Sequence, residues 1–196
     1  MRYPAAETAE KHLRILDEAA RLFRDRGFNG AGVAEVMQAA GLSHGSFYNH
    51  FASKQALMAE CVSHAGAKAI RDVEAAKVEN GPVAYVESYL SIAHRDDPGS
   101  GCLMSALSAD SSRDATVRPS MTRYIQGFIE AMAAHFPWPQ KKHPRRDAIR
   151  MTSSLVGALI LARAVRDEEL SEEILREVAE ELTQRLNHSR RQDRQI

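Results

Sequence analysis

The residues best suited to chemistry in this sequence lie between Ser43 and Lys54, where the chain reads SHGSFYNHFASK. At about 100° per residue of a helix, Phe47 and Phe51 fall on one side and are expected to lock into the protein. The outward side carries Gly45, Ser46, Asn49 and His50, with Tyr48 at the flank. Amide, hydroxyl and imidazole groups in this arrangement are suited to bonding the base edges and phosphates of DNA.

Each of these residue types has a specific use on DNA. Asn49 can present a donor and an acceptor to adenine, although an exposed asparagine that touches only phosphate is equally compatible with the pattern. Gly45 lets the backbone approach closely. Tyr48 can reach a phosphate, or simply pack its ring and leave its hydroxyl in water. We predict DNA contacts from Ser43, His44, Gly45, Ser46, Tyr48, Asn49, His50 and Lys54.

The distribution of charged residues supports DNA binding by this segment. The 196 residues contain 26 Lys and Arg against 26 Asp and Glu, a net charge of zero, so a nucleic acid must be bound by a local patch. No acidic residue occurs between Val36 and Ala59. In a chain with so many acids, this gap indicates a local electropositive surface.

Two short helices joined by a tight turn are expected to position these groups. Gly27 is suited to end the first helix in a left-handed conformation, and Gly41 to end the second. Ser43 is a good N-cap for a third short helix that ends near Phe51. Together these features predict a helix-turn-helix between residues 28 and 54. The alternative is a plain corner between two helices of a bundle.

Helical periodicity continues through the rest of the chain, and strand signals are nearly absent. We therefore predict an all-α fold of about nine helices. Ser53 is expected to cap the fourth helix, which runs to about Glu79. The fifth is expected to run from Pro82 to near His94, and the ninth to start at the cap Ser171.

Two stretches resemble the tetracycline-repressor (TetR) family of bacterial transcriptional regulators. They are ILDEAARLFRDRGF at residues 15–28 and AAGLSHGSFYNHFASKQAL at residues 39–57. GCLMSAL at 101–107 and LVGALILARAVRDEELS at 155–171 also look like segments of related regulators. This chain departs from the family pattern at Ala31-Gly32, where Thr or Ser is common, and at His44, where Lys is common.

The resemblance implies a DNA-binding domain at residues 1–52 and a regulatory, effector-binding and dimerisation domain at 53–196. It implies a sequence-specific regulator, expected to be a repressor, that is released from a near-palindromic operator by a small-molecule effector. It also implies that the last two long helices pair across a homodimer and that an effector pocket lies between helices four and eight.

Apolar stripes on the last two long helices support the predicted dimer, because they exceed what a body of this size is expected to bury. The eighth helix offers Ile149, Val156, Leu159, Ile160 and Arg163, and the ninth Leu175, Val178, Leu182 and Leu186. Gly157 is expected to permit close approach of a partner.

Adaptable and polar-tipped side chains in the middle of the chain fit an effector pocket, with ordinary core packing as the alternative. The expected lining is Tyr85, Tyr89, Cys102, Met104, Tyr124 and Phe128. Cys102 lies at a predicted helix start, where a thiolate is stabilised. It is either a small buried apolar residue or the thiol of a redox or electrophile sensor, whereas Cys61 fits a core position.

Other classes of protein have less support. Two cysteines 41 residues apart exclude a disulfide scaffold and suit the reducing cytoplasm. The sequence contains no catalytic, phosphate-binding or metal-ligand motif, so we expect no enzyme, no cofactor and no metal site. The longest apolar run, Leu155 to Ala162, is too short to cross a bilayer. A helical adaptor that binds a protein through the same corner remains the alternative to a DNA-binding regulator.

Overall fold

A computed structural model gives the structure of residues 5–76, 81–138 and 143–193, with side chains for 6–75, 81–138 and 143–187. The described residues form α-helices and one 3₁₀ helix, with no strand among them, so the predicted all-α class is confirmed. The chain divides into two compact units. The first comprises residues 1–67 and 98–124, and the second comprises residues 68–97 and 125–196.

Helices of the N-terminal part begin with α1 (Ala5–Gly30) and α2 (Val33–Ala39). The 3₁₀ helix (His44–Asn49) and α3 (Lys54–Ala76) follow. The remaining helices are α4 (Gly81–Tyr89), α5 (Ile92–Asp96), α6 (Leu103–Ser112), α7 (Arg118–His135), α8 (Pro144–Ala164) and α9 (Glu168–Asp193).

Two glycines shape the first unit as predicted, with one difference. Gly41 has φ +69° and ends α2. Gly27 also has a positive φ, +72°, but its ψ of 170° makes a kink within α1 instead of a left-handed helical cap. After the kink, Phe28 turns back and meets Phe23 edge to face at 5.3 Å. The chain therefore kinks at Gly27 through a conformation that only glycine adopts readily.

The predicted third helix is a 3₁₀ helix, not an α-helix. Ser43 occupies its N-cap position, but its side chain makes no capping hydrogen bond. Instead, the Ser46 hydroxyl donates to the Ser43 carbonyl at 2.7 Å. Ser43 is therefore the N-cap residue, as predicted, but its side chain does not form the capping hydrogen bond. The following cap is confirmed, because the Ala56 amide donates to the Ser53 hydroxyl at 3.1 Å. The predicted end of that helix near Glu79 lies outside the described residues.

The second unit corrects the predicted fifth helix, which divides into α4 and α5 at Leu90 and Ser91. The Ser91 hydroxyl accepts the His94 amide at 3.1 Å and so starts a new helix. Because a side-chain acceptor at this position competes with continuation of the helix, a periodic apolar pattern does not reveal the break.

The start of the ninth helix was also predicted wrongly. α9 begins at Glu168, and the Asp167 carboxylate accepts the Leu170 amide at 3.2 Å. Ser171 is buried one turn inside the helix, where its hydroxyl donates to the Ala162 carbonyl at 2.8 Å. That hydroxyl also accepts a hydrogen bond from Arg95 at 2.9 Å. Its partners come from separate parts of the chain, so Ser171 joins elements of the second unit instead of capping one.

Within the described part of the chain, no helix has both the length and the apolar character that crossing a lipid bilayer requires.

Candidate nucleic-acid interface

An aromatic layer supports the segment predicted to bind DNA. Phe47 and Phe51 are 1% and 3% exposed, and their rings stack at 5.7 Å. The His12 ring of α1 stacks on Phe51 at 4.6 Å. This layer fixes the inner side of the 3₁₀ helix, as the sequence pattern predicted.

The predicted contact residues fall into two groups by exposure. Five are exposed: Ser43, His44, Gly45, Tyr48 and Asn49. Three are half-buried: Ser46, His50 and Lys54. Tyr48 is 72% exposed even though its ring meets Phe47 edge to face at 5.2 Å. An aromatic ring held at its base and open to solvent at its hydroxyl is well placed to donate to an anion.

Space around Gly45 is open, because an added Cβ would meet no heavy atom within 4 Å. The same holds for Gly32, the N-cap of α2, which has no side-chain capping bond. A DNA backbone can therefore approach the N-terminal ends of both short helices without meeting a side chain at these two positions.

His50 lies near Lys11 and His12 of α1. Its ring centroid is 5.8 Å from that of His12. Burial lowers the pKa of His50, and the nearby His12 and Lys11 lower it further. A histidine with a lowered pKa is more often neutral near pH 7, and neutral imidazole can still donate one hydrogen bond to a phosphate.

Lys54 stands 6.0 Å from the centroid of the Phe23 ring, on the first turn of α3. Its ammonium group is therefore kept near an aromatic face of the same unit. To contact a phosphate, Lys54 must leave this position, which its four-carbon side chain allows.

The acids that border the acid-free segment both contact side chains of α1. The Glu35 carboxylate pairs with Arg26 at 2.5 Å, and the Glu60 carboxylate contacts the Nε2 atom of His12 at 2.6 Å. Both acids therefore face basic side chains of α1. Sequence reasoning missed His12 and Arg26, because their roles depend on α1 lying beside the helix-turn-helix.

Residues predicted to line an effector pocket belong to both units. Cys102, Met104 and Tyr124 lie in the first unit, and Tyr85, Tyr89 and Phe128 in the second. Four are largely buried: Tyr89, Met104, Tyr124 and Phe128, each exposed by 9% or less. Within the first unit, a Cβ added to Gly66 would lie 2.7 Å from the Tyr124 ring, so this tyrosine packs tightly on α3.

The two cysteines have different surroundings. Cys61 is fully buried, and burial raises its pKa to about 12, which keeps the thiol protonated. Cys102 is half-buried at the N-cap of α6. Its position at a helix start is as predicted. Among the described residues, no three His, Cys, Asp or Glu side chains are grouped as a metal site requires.

The apolar stripes on the last two helices are partly used inside the chain. Leu159, Leu175, Leu182 and Leu186 are 3% exposed or less, so they were wrongly assigned to an intermolecular surface. Arg163 donates to the carbonyls of His94 and Arg95. Large apolar side chains that do remain exposed in these helices are Ile149, Ile160, Leu161 and Leu170.

A buried aromatic layer beneath an exposed, acid-free polar segment, reached through a Gly41 turn, defines the class of helix-turn-helix DNA-binding domains. The comparisons agree. Residues 15–61 match the family described as bacterial regulatory proteins, tetR family. The N-terminal part of the chain is therefore similar to the DNA-binding part of TetR-family regulators.

Two proteins with similar sequences are described as transcriptional regulators of the helix-turn-helix type. The chain is 25% identical over 119 residues to the HTH-type transcriptional repressor DhaR of Mycobacterium sp. (strain GP1). That match covers 59% of this chain and 60% of DhaR. It is 29% identical over 169 residues to the HTH-type transcriptional regulator Rv0196 of Mycobacterium tuberculosis (strain ATCC 25618 / H37Rv), covering 79% of this chain and 84% of that protein. The likeness to DhaR thus spans less than two thirds of that repressor.

Solved structures share the fold. The reduced form of E. coli NemR superposes with a TM-score of 0.70 and 25% identity, covering 86% of this chain and 95% of that one. A TetR-family transcriptional regulator from Cytophaga hutchinsonii gives a TM-score of 0.70 at 17% identity, covering 91% and 96%. The chain therefore shares the fold of these TetR-family structures along most of its length.

Proposed function

We propose that this protein is a sequence-specific repressor that binds a near-palindromic operator as a homodimer and leaves it when a small molecule binds. One observation carries the proposal: the exposed polar side of the 3₁₀ helix lies in a stretch with no acidic residue between Val36 and Ala59. A bacterial chromosome lies in the cytoplasm, so the proposal places the protein there.

The proposed DNA contacts follow from exposure and chemistry. Asn49 is exposed and is proposed to read adenine in the major groove. Tyr48 and His44 are exposed and are proposed to bind phosphates on either side. The remaining contacts are assigned to Ser43, Gly45, Ser46, His50 and Lys54. The corresponding domain division, residues 1–52 for DNA and 53–196 for regulation and dimerisation, belongs to the same proposal.

Dimerisation is proposed through α8 and α9. Ile160 and Leu161 are 43% and 56% exposed on α8, and a Cβ added to Gly157 would meet nothing within 4 Å. Because glycine has no side chain, a second copy of α8 can pack closely at Gly157, beside these exposed apolar side chains. Light scattering tests this: the native chain is expected at twice the monomer mass, and Ile160→Glu at a lower average mass. Exposed Leu13 lies in α1, so Leu13→Glu is the matched control.

The effector is proposed to bind the regulatory part, using the set Tyr85, Tyr89, Cys102, Met104, Tyr124 and Phe128. It acts by favouring a separation of the two DNA-binding domains that no longer fits successive major grooves. A tenfold fall in DNA affinity needs about 1.4 kcal/mol of differential binding. Tyr124→Ala is expected to shift the release curve for a non-covalent effector.

A thiol switch at Cys102 is the second candidate for the signal. Two observations favour it: Cys102 is half-buried at the N-cap of α6, and the related E. coli NemR is described in a reduced form. If an oxidant or electrophile is the signal, Cys102→Ser should retain DNA binding and lose release. If a non-covalent ligand is the signal, the same substitution should change little.

Genome-wide capture of bound DNA, followed by mobility-shift assays on the recovered sites, tests the central proposal. We expect a few strong sites with two half-sites about one helical turn, or a multiple of one, apart. Equal affinity for captured and random duplexes would refute sequence-specific binding. The helical-adaptor alternative would replace this proposal if Asn49→Ala left the DNA affinity unchanged and the protein bound a protein partner through the same corner.

A further inference from the structure

A cavity of about 290 Å³ lies within the second unit, between the first turns of α8 and the C-terminal part of α9. It is lined by Trp138, Arg146, Asp147, Arg150, Met151, Leu182, Arg185 and Leu186. None of these residues belongs to the predicted effector set or to the predicted DNA contacts. The cavity is at the small end of the range for ligand sites.

The floor of this cavity is apolar. Met151, Leu182 and Leu186 are each exposed by 3% or less, so they are held by the core of the unit. Trp138 forms a wall: its indole N–H donates to the Ala133 carbonyl at 3.1 Å, and its ring stacks on Phe136 at 6.1 Å. Because the indole is anchored at both its edge and its face, the wall is fixed before any ligand arrives.

The rim of the cavity is cationic. Arg146, Arg150 and Arg185 stand there with one acidic lining residue, Asp147. Asp147 is 3.6 Å from Arg146 and 3.7 Å from Arg150, so one carboxylate serves two guanidinium groups at distances longer than a strong charged hydrogen bond. Arg185 pairs with Glu181, which precedes it by one turn of α9. With Glu181 counted beside Asp147, these three arginines and two carboxylates carry a net charge of +1.

We infer that this cavity binds an amphipathic carboxylate, with its apolar tail on the floor and its head among the rim arginines. An apolar floor alone would accept any hydrocarbon, and an arginine rim alone would accept any anion. Their combination in one small cavity selects a molecule that has both parts. Binding of such a molecule requires neither DNA nor the proposed effector set.

The experiment uses Trp138, which is the single tryptophan of the chain, as a reporter in the cavity wall. Octanoate is titrated into the full-length protein while tryptophan emission is recorded, and octan-1-ol serves as the uncharged probe of similar length. We expect a saturable change with octanoate and weaker binding of the alcohol. Lengthening the acid from hexanoate to octanoate should raise affinity about fourfold per CH₂ that the cavity accommodates.

Variants test the rim separately from the floor. Arg150→Gln and Arg185→Gln are each expected to weaken octanoate binding about two- to fivefold, the range for solvent-exposed ion pairs, and to leave octan-1-ol unaffected. Arg176→Gln is the matched control, because Arg176 lies on α9, has the same 58% side-chain exposure as Arg185 and lies outside the cavity. All three arginines are exposed, so the variants should fold, and urea midpoints verify this.

Three results overturn the inference. One is the absence of any saturable change in Trp138 emission. Another is equal affinity for octanoate and octan-1-ol. The third is a loss in Arg176→Gln as large as that in Arg150→Gln, which would place the anion elsewhere on the surface. None of these results bears on operator binding, so failure here is distinguishable from failure of the proposed repressor function.

Discussion

Replacement of Gly27 by Ala is expected to destabilise the protein for two separable reasons. Gly27 has φ +72° and ψ 170°, a region that other residues adopt at a cost of about 1–3 kcal/mol. In addition, the new Cβ would lie 2.8 Å from the Oδ2 atom of Asp110, a carboxylate of α6. That oxygen accepts the Phe28 amide at 3.2 Å, so the added methyl group must displace it and break the bond.

The two contributions can be separated by a double-mutant cycle. A hydrogen bond to a charged acceptor contributes about 1.5–3 kcal/mol, and the length of this one places it at the lower end. We therefore expect Gly27→Ala to cost about 3 kcal/mol from both effects together. Asp110→Ala should cost about 1.5 kcal/mol. In the double variant the clash is absent and the hydrogen bond is lost only once, so the total should fall short of the sum by about 1.5 kcal/mol.

Urea unfolding followed by circular dichroism measures these free energies. Gly45→Ala is the control, since Gly45 has no positive φ and open space around its Cβ, and we expect a change within about 0.5 kcal/mol. Strict additivity of Gly27→Ala and Asp110→Ala would refute the proposed steric conflict. A Gly27→Ala variant as stable as the native protein would refute the backbone argument as well.

Three further predictions concern the interface and the thiols. Asn49→Ala should cost about 1–3 kcal/mol at one base pair and relax specificity there, whereas Lys54→Ala should weaken all duplexes alike and lower the salt slope by about one; equal losses on specific and random DNA from both variants would show that Asn49 is not a base reader. Because burial and nearby cations lower the pKa of His50, the unfolded chain binds more protons at this residue below about pH 6.5. Stability should therefore fall as the pH drops from about 7 to about 5, and His50→Gln should reduce that fall in urea midpoints; an unchanged slope would contradict this assignment. Ellman's reagent should label one thiol of the native chain, Cys102, because Cys61 is fully buried with a pKa of about 12; rapid labelling of two thiols in the native protein would contradict the structure.

Local sequence determined the helical elements, because their causes lie within a few residues. The apolar periodicity predicted the long helices, the positive φ at Gly27 and Gly41 follows from the freedom of glycine, and the Ser53 cap needs only the next turn of α3. The acid-free segment is likewise a property of the sequence, and its outward side was predicted from the pattern of Phe47 and Phe51.

Where helices end and what they bury depended on distant partners. Ser171 has the local character of an N-cap, yet it lies inside α9 because its hydroxyl bonds Ala162 and Arg95. Leu182 and Leu186 have the spacing of a dimer stripe, but the rest of the chain buries them. A periodic pattern shows that one side of a helix is apolar and does not show what covers it.

The properties of the DNA interface also divide into those that the sequence predicts and those that depend on the tertiary structure. The residue types from Ser43 to Lys54 indicated DNA binding from the sequence alone, since hydrogen-bonding capacity belongs to each side chain. The 3₁₀ conformation, the lowered pKa of His50 beside His12 and the position of Lys54 near Phe23 required the tertiary structure. They arise because residues far apart in sequence lie next to one another in the folded chain, and burial and charge act through space.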